Sequence, residues 1–153
     1  MNLRLTTHAG LLRVIDKERI EAAIRLAERR TSGEIRVSIA RFFWGDVRRV
    51  AERAFAGLGM TATRQRNGVL FFVVPARRRF VVLGDEGIHA VVGQAFWESV
   101  AAALAERFAE GDFNGGLLRG IETVGAQLAT HFPFDGATDV DELPDELDFG
   151  GHA

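Results

Sequence analysis

The residues of this chain best equipped for chemistry are oxygen donors beside glycines. They are Glu34 after Gly33, Asn67 before Gly68, Asp85 and Glu86 between Gly84 and Gly87, and Asp112 after Gly111. Carboxylates, an amide oxygen and the carbonyls of a glycine turn are the hard ligands that calcium or magnesium requires. Like charges brought together also repel unless a cation or a proton separates them. The same residues have ordinary structural uses. Glu34 can open a strand, Asn67-Gly68 is common turn chemistry, and Asp85, Glu86 or Asp112 can cap a helix. On residue types alone, capping and cation ligation both stand.

Their positions depend on two apolar runs. Val69-Leu70-Phe71-Phe72-Val73-Val74 is apolar at every position. A strand without alternation is covered on both faces, so helices belong above and below the sheet. Pro75 and Arg77-Arg78-Arg79 punctuate the chain, and Phe80-Val81-Val82-Leu83 returns as the antiparallel partner of a hairpin. Earlier, Glu34-Ile35-Arg36-Val37-Ser38-Ile39 alternates, which predicts a strand covered mainly on one side. Between these strands Asp46 caps a helix with Val47, Val50, Ala51, Ala54, Phe55 and Leu58 on its apolar stripe, ended by Gly57 and Gly59. Strand, helix and strand form a βαβ unit, which favours parallel strands and a right-handed crossover. The amino ends of both strands then share one edge, and the hairpin returns Asp85 and Glu86 to it. Glu34, Asn67, Asp85 and Glu86 are expected together there; Asp112 lies in a loop between helices, whose place relative to this edge the helix lengths leave open.

The remaining elements are helical. Asp16 caps a helix with Ile20, Ala23, Ile24 and Ala27 on one stripe, stopped at Thr31-Ser32-Gly33 with Gly33 suited to a left-handed cap. Ile88 to Val92 predicts a short helical turn. Trp97, Val100, Ala101, Leu104 and Phe108 mark a longer helix, and Leu117, Ile121, Val124, Leu128 and Phe132 mark the last, halted by Pro133. The expected fold is α/β, a three-layer αβα sandwich around a small mixed sheet with helices on both faces. One domain spans residues 1–134, and 135–153 form an acidic, flexible tail. Residues 1–15 show no clear period and read as an arm or helical lead-in. Phe42, Phe43 and Trp44, at the opposite strand edge, read as core or as a modest interaction surface.

Composition narrows the function. At 153 residues, 47% hydrophobic and 26% charged, the chain can bury a core. With no cysteine, it has no disulfide, thiolate zinc site or cysteine nucleophile. Neither a signal-peptide h-region nor an apolar run long enough for a membrane span is seen, so the expected location is cytoplasmic. The tail from Asp135 carries seven acids and no Lys or Arg; removing those seven from 21 leaves 14 acids against 19 Lys and Arg, a body of +5. Gly-x-Gly-x-x-Gly and Walker loops are missing, His8, His89, His131 and His152 show no ligand pairing, and Asp139-Val140-Asp141 lies in the tail rather than at a strand end. Arg77-Arg78-Arg79, without interleaved aromatics, reads as a solvated hairpin tip rather than a nucleic-acid site.

In order along the chain, Thr31-Ser32-Gly33-Glu34-Ile35-Arg36-Val37, Leu58-Gly59-Met60, Arg66-Asn67-Gly68-Val69-Leu70, Gly84-Asp85-Glu86-Gly87-Ile88, Phe96-Trp97 and Gly111-Asp112-Phe113 resemble the TPM-domain proteins. Phe132-Pro133 and Asp141-Glu142-Leu143-Pro144-Asp145-Glu146 are similar to a soluble bacterial branch of that family. The family is linked to thylakoid photosystem repair and described as phosphatases. The resemblance implies an αβα sandwich, calcium binding at acidic loops and, in plant relatives, a weak acid phosphatase activity. Glu34, Asn67, Asp85 and Asp112 fall on its motif positions, which raises cation binding above capping. Where this chain has His89 relatives more often carry Asn or Glu, so that histidine is given no catalytic role. Many relatives carry a signal peptide and a membrane anchor, features not seen in this sequence. The expected function is divalent-cation binding, calcium first and magnesium second, with Asp85 central and Glu34, Asn67, Glu86 and Asp112 supporting. Metal-assisted phosphomonoester hydrolysis is the expected reaction class of an enzyme built this way. The alternative is a non-catalytic module whose cation orders the loops and whose acidic tail or Arg-rich face meets a protein partner. No nucleophile, further cofactor, substrate or oligomeric state is specified by the sequence.

Overall fold

The computed structural model describes residues 15–41 and 45–134. The readings made above for residues 1–14, for Phe42-Phe43-Trp44 and for the acidic tail lie outside the described residues. Helix α1 (Lys17–Glu28) leads into strand β1 (Glu34–Ile39), helix α2 (Val47–Gly57), strand β2 (Gly68–Val74) and strand β3 (Arg79–Gly84). Helices α3 (Glu86–Val92), α4 (Gln94–Ala109) and α5 (Phe113–His131) complete the order. The strands form one sheet in the order β1-β2-β3, β1 parallel to β2 and β3 antiparallel to it.

All seven residues of the central strand β2 are buried, as its unbroken apolar run requires. Its alternate side chains feed two cores. Val69, Phe71 and Val73 join Ile35, Val37, Ile39 and Val82 beneath α1, α4 and α5, with Ile24, Leu104, Leu117, Ile121 and Val124 packed against them. Leu70, Phe72 and Val74 join Leu83 beneath α2, which supplies Val50, Ala51, Ala54 and Phe55. Helices therefore cover both faces of the mixed sheet in an α/β sandwich. Full burial of a phenylalanine stabilises by about 1.5–3 kcal/mol relative to exposure, and both Phe71 and Phe72 are buried.

Two local expectations are corrected. Strand β1 is buried on both faces, with Glu34 and Ser38 covered and Arg36 half-buried. In the parallel register Arg36 and Ser38 lie opposite Leu70 and Phe72, so they share the face crossed by α2. Helix α1 closes at Glu28, and Gly33 is not among the glycines with positive φ. Its value is spatial: a Cβ there would lie 2.7 Å from Leu128 Cδ2 on α5. The caps read from sequence hold at Asp16, which accepts from Arg19 N, and at Asp46, which accepts from Arg48 N.

Among the described residues no single helix is long and apolar enough to cross a membrane. Helices α3 and α4 reach that length and apolarity only together, and they are bent by 94° where they meet. Their apolar side chains Ile88, Trp97, Val100 and Leu104 are already spent on the core.

Candidate functional site

The sheet brings its acidic loops to one rim through its register. Glu34 opens β1 opposite Gly68, Gly84 closes β3 opposite Val69, and the Asp85 N–H donates to the Gly68 carbonyl at 2.9 Å. Glu34 and Asp85 thus flank Gly68 from opposite sides, two strand spacings or about 10 Å apart along the rim. Both carboxylates are buried, Glu34 to 3% exposure and Asp85 to 7%.

A buried carboxylate needs a charged or hydrogen-bonding partner, and Asp85 has two. It is the N-cap of α3, with Oδ1 accepting from the Glu86 N–H at 2.8 Å. It also receives a two-pronged approach from Arg66, whose Nε donates to Oδ2 at 2.6 Å and whose Nη2 donates to Oδ1 at 2.9 Å. The third guanidinium nitrogen, Nη1, donates to Glu86 Oε1 at 3.2 Å. The hydrogen bond to Asp85 holds the Arg66 pKa above its usual value, with the charges of Asp85 and Glu86 adding to it against a desolvation cost.

The Arg66 backbone is equally committed. Its φ is +52°, and its carbonyl accepts from the N–H groups of Gly87 at 2.8 Å and Ile88 at 3.3 Å. A Cβ on Gly87 would lie 2.1 Å from the Gln65 carbonyl oxygen and 2.7 Å from that of Arg66. Glycine at 87 is what allows the first turn of α3 to rest on this loop.

Asn67 is 1% exposed. Its Nδ2 donates to Ser32 Oγ at 3.2 Å and to Gln65 Oε1 at 3.4 Å, tying the approach to β1 to the approach to β2. Its Oδ1 is buried and accepts no hydrogen bond. A buried amide oxygen left without a donor is costly, and its chemistry suits a hard cation. On the α2 side, a cavity of about 250 Å³ is lined by Arg48, Glu52, Phe55, Thr61, Leu83, Gly84 and Asp85. Arg48 and Glu52, one turn apart on α2, pair along its wall at 3.5 Å.

Asp112 is not at this rim, which corrects its expected place in the cluster. Trp97, in the first turn of α4, packs over Gly84. Sixteen residues of α4 then carry the chain about 24 Å away. Phe113, next to Asp112, lines a separate apolar cavity with Val73, Pro75 and Phe80 at the far ends of β2 and β3. There Asp112 caps α5, accepting from Gly115 N at 2.9 Å, and pairs with Arg107 at 3.1 Å. His89 accepts at Nδ1 from Trp97 Nε1 at 3.0 Å.

Arg66 is the residue that reading by type passed over. Continuing the antiparallel register past Val69 and Gly84 sets Gly68 against Asp85, Asn67 against Glu86 and Arg66 against Gly87. Counting back from the hairpin could have found it. As for a metal, Glu34, Asn67, Asp85 and Glu86 are hard oxygen donors of the right type, and the Asn67 amide that carries the unfilled Oδ1 is held beside Ser32 and Gln65. Among the described residues, however, no three acidic or histidine side chains converge in ligating geometry. The guanidinium holds the central place.

The TPM-domain family model matches residues 5–127. The chain belongs to the TPM-domain family. The solved NMR structure of the BA42 protein from the psychrophilic bacterium Bizionia argentinensis is similar to this TPM domain. It is 39% identical, with a TM-score of 0.81, covering 88% of this chain and 94% of that one. No curated protein matches the chain.

Proposed function

We propose that this TPM domain binds a divalent cation, calcium before magnesium, at the rim where Asp85 stands. The observation that carries the reading is the buried Asp85 carboxylate, which already draws a positive group onto both of its oxygens. Glu86 lies beside it with its side chain 72% exposed, and Asn67 Oδ1 is a buried acceptor with no donor. Asp85 and Glu86 would be the principal ligands, with Asn67 and Glu34 flanking them. A cation held there would neutralise the carboxylates and supply positive charge for an anionic ligand. Calorimetric titration with calcium chloride tests it: wild type gives a saturable heat and Asp85→Asn does not. No saturable heat for wild type at millimolar calcium overturns the reading.

A second reading, phosphomonoester hydrolysis, is favoured by the cavity beside Asp85 and by Arg48 on its wall. Arg48 would hold the phosphate oxygens, and a carboxylate of the rim would orient or deprotonate water. Hydrolysis of p-nitrophenyl phosphate that is lost in both Asp85→Asn and Arg48→Ala supports it. Calcium binding without such activity leaves a cation-ordered interaction module.

A further inference from the structure

We infer that Arg66 is a tethered counter-cation that a divalent ion must displace from Asp85, so that cation uptake and guanidinium release are one event. The inference rests on the cation reading given above and adds its regulation.

The geometry is specific. Two oxygens of one buried carboxylate receive three donors, Arg66 Nε, Arg66 Nη2 and the Glu86 N–H. A planar fork matched to a carboxylate fills the in-plane positions that a metal ligand would use. Arg66 Nη1 also engages Glu86, so one side chain occupies both adjacent acids. A cation chelated by both oxygens of Asp85 therefore competes with the guanidinium for the same lone pairs, and one bound at the remaining lone pair of Oδ2 would face the like charge of the guanidinium.

The exchange is mechanically feasible because backbone and side chain are held separately. The Arg66 carbonyl is fixed by Gly87 N and Ile88 N, which do not depend on the guanidinium. The side chain is 39% exposed, so it has solvent to swing into. Gln65 and Asn67, on either side, are bound to Ser32 and keep the loop in place. The consequence is a lowered apparent affinity. A pair closed about nine-tenths of the time leaves about one-tenth of molecules competent, which weakens binding about tenfold.

The test is titration of the full chain with calcium chloride, followed by calorimetry and by the Arg66 Nε–Hε resonance in ¹⁵N NMR spectra. In wild type that resonance shifts on the same isotherm as the heat. Arg66→Gln binds calcium about tenfold more tightly. Arg66→Lys, which keeps the charge and loses the fork, falls between. Arg53→Gln removes an exposed charge of α2 that does not line the cavity, and it changes affinity less than twofold. Backbone amide spectra show whether each variant retains the fold, and the wild-type resonance tests the inference without any substitution. An Arg66 resonance unmoved at calcium saturation, or equal tightening in Arg53→Gln and Arg66→Gln, overturns the inference while leaving cation binding intact. No saturable heat in wild type overturns the cation reading and the inference with it, whether or not Arg66→Gln binds.

Discussion

Gly87 ties the candidate site to the stability of the fold, and Gly87→Ala has a cost that can be worked from the structure. The new methyl would lie 2.1 Å from the Gln65 carbonyl oxygen and 2.7 Å from that of Arg66. Both are backbone atoms, so relief requires moving the loop or the first turn of α3. Overpacking of this kind costs about 1–3 kcal/mol, and so short a contact belongs at the upper end. Separation of the two segments also weakens the 2.8 Å hydrogen bond from Gly87 N to the Arg66 carbonyl, worth about 1 kcal/mol. Alanine returns at most about 1 kcal/mol through helix propensity. The net destabilisation is about 2–3 kcal/mol, or about 5–10 °C in Tm for a chain of this size. Gly57, near the end of α2, is the control. It has nothing within 4 Å of its added Cβ and no positive φ, so Gly57→Ala raises Tm by about 2–4 °C. Thermal melts followed by far-ultraviolet circular dichroism, with urea midpoints beside them, read both variants. A Gly87→Ala protein melting at or above wild type would refute the close-approach argument.

Further outcomes follow from the same contacts. Asp85→Asn retains a side chain able to cap α3, so the protein folds, but the calcium heat disappears from its calorimetric titration. Asp112→Ala loses the cap of α5 and costs about 1 kcal/mol, yet its calcium affinity equals that of wild type; a lost affinity would place Asp112 in the site after all. Phe71→Ala opens a cavity between β2 and α5 and costs about 3–5 kcal/mol, seen as a large fall in the urea midpoint. The Arg66 pKa is raised by folding. Its contribution is therefore complete below the unfolded arginine pKa and lost only as pH rises through the folded value. The Tm difference between wild type and Arg66→Gln accordingly stays constant from about pH 7 to about pH 10.

Much of the fold was legible because its signals are local. An unbroken apolar run between turn residues could only be a strand covered on both faces, and β2 is that strand. Asp16 and Asp46 announced the helices they cap, and strand-helix-strand order set the parallel pairing of β1 with β2. From chain direction alone, Glu34, the Asn67-Gly68 turn and Asp85 were assigned to one rim, and the register places them there.

What stayed hidden depended on distances between segments. Gly33 looked like a handed cap because its type permits one, whereas its place is decided by Leu128 on a helix about a hundred residues away. Asp112 carried the same motif character as Asp85, yet the length of α4 delivers it to the opposite rim. Nothing in Arg66 itself marks a partner; its role exists only because the hairpin returns Asp85 and Glu86 beside it. Sequence by itself determined which segments fold and in which direction they run, since propensity and periodicity act between neighbours. Tertiary structure alone decided which charge meets which, because electrostatic pairing depends on separation in space and a few residues of register change it completely.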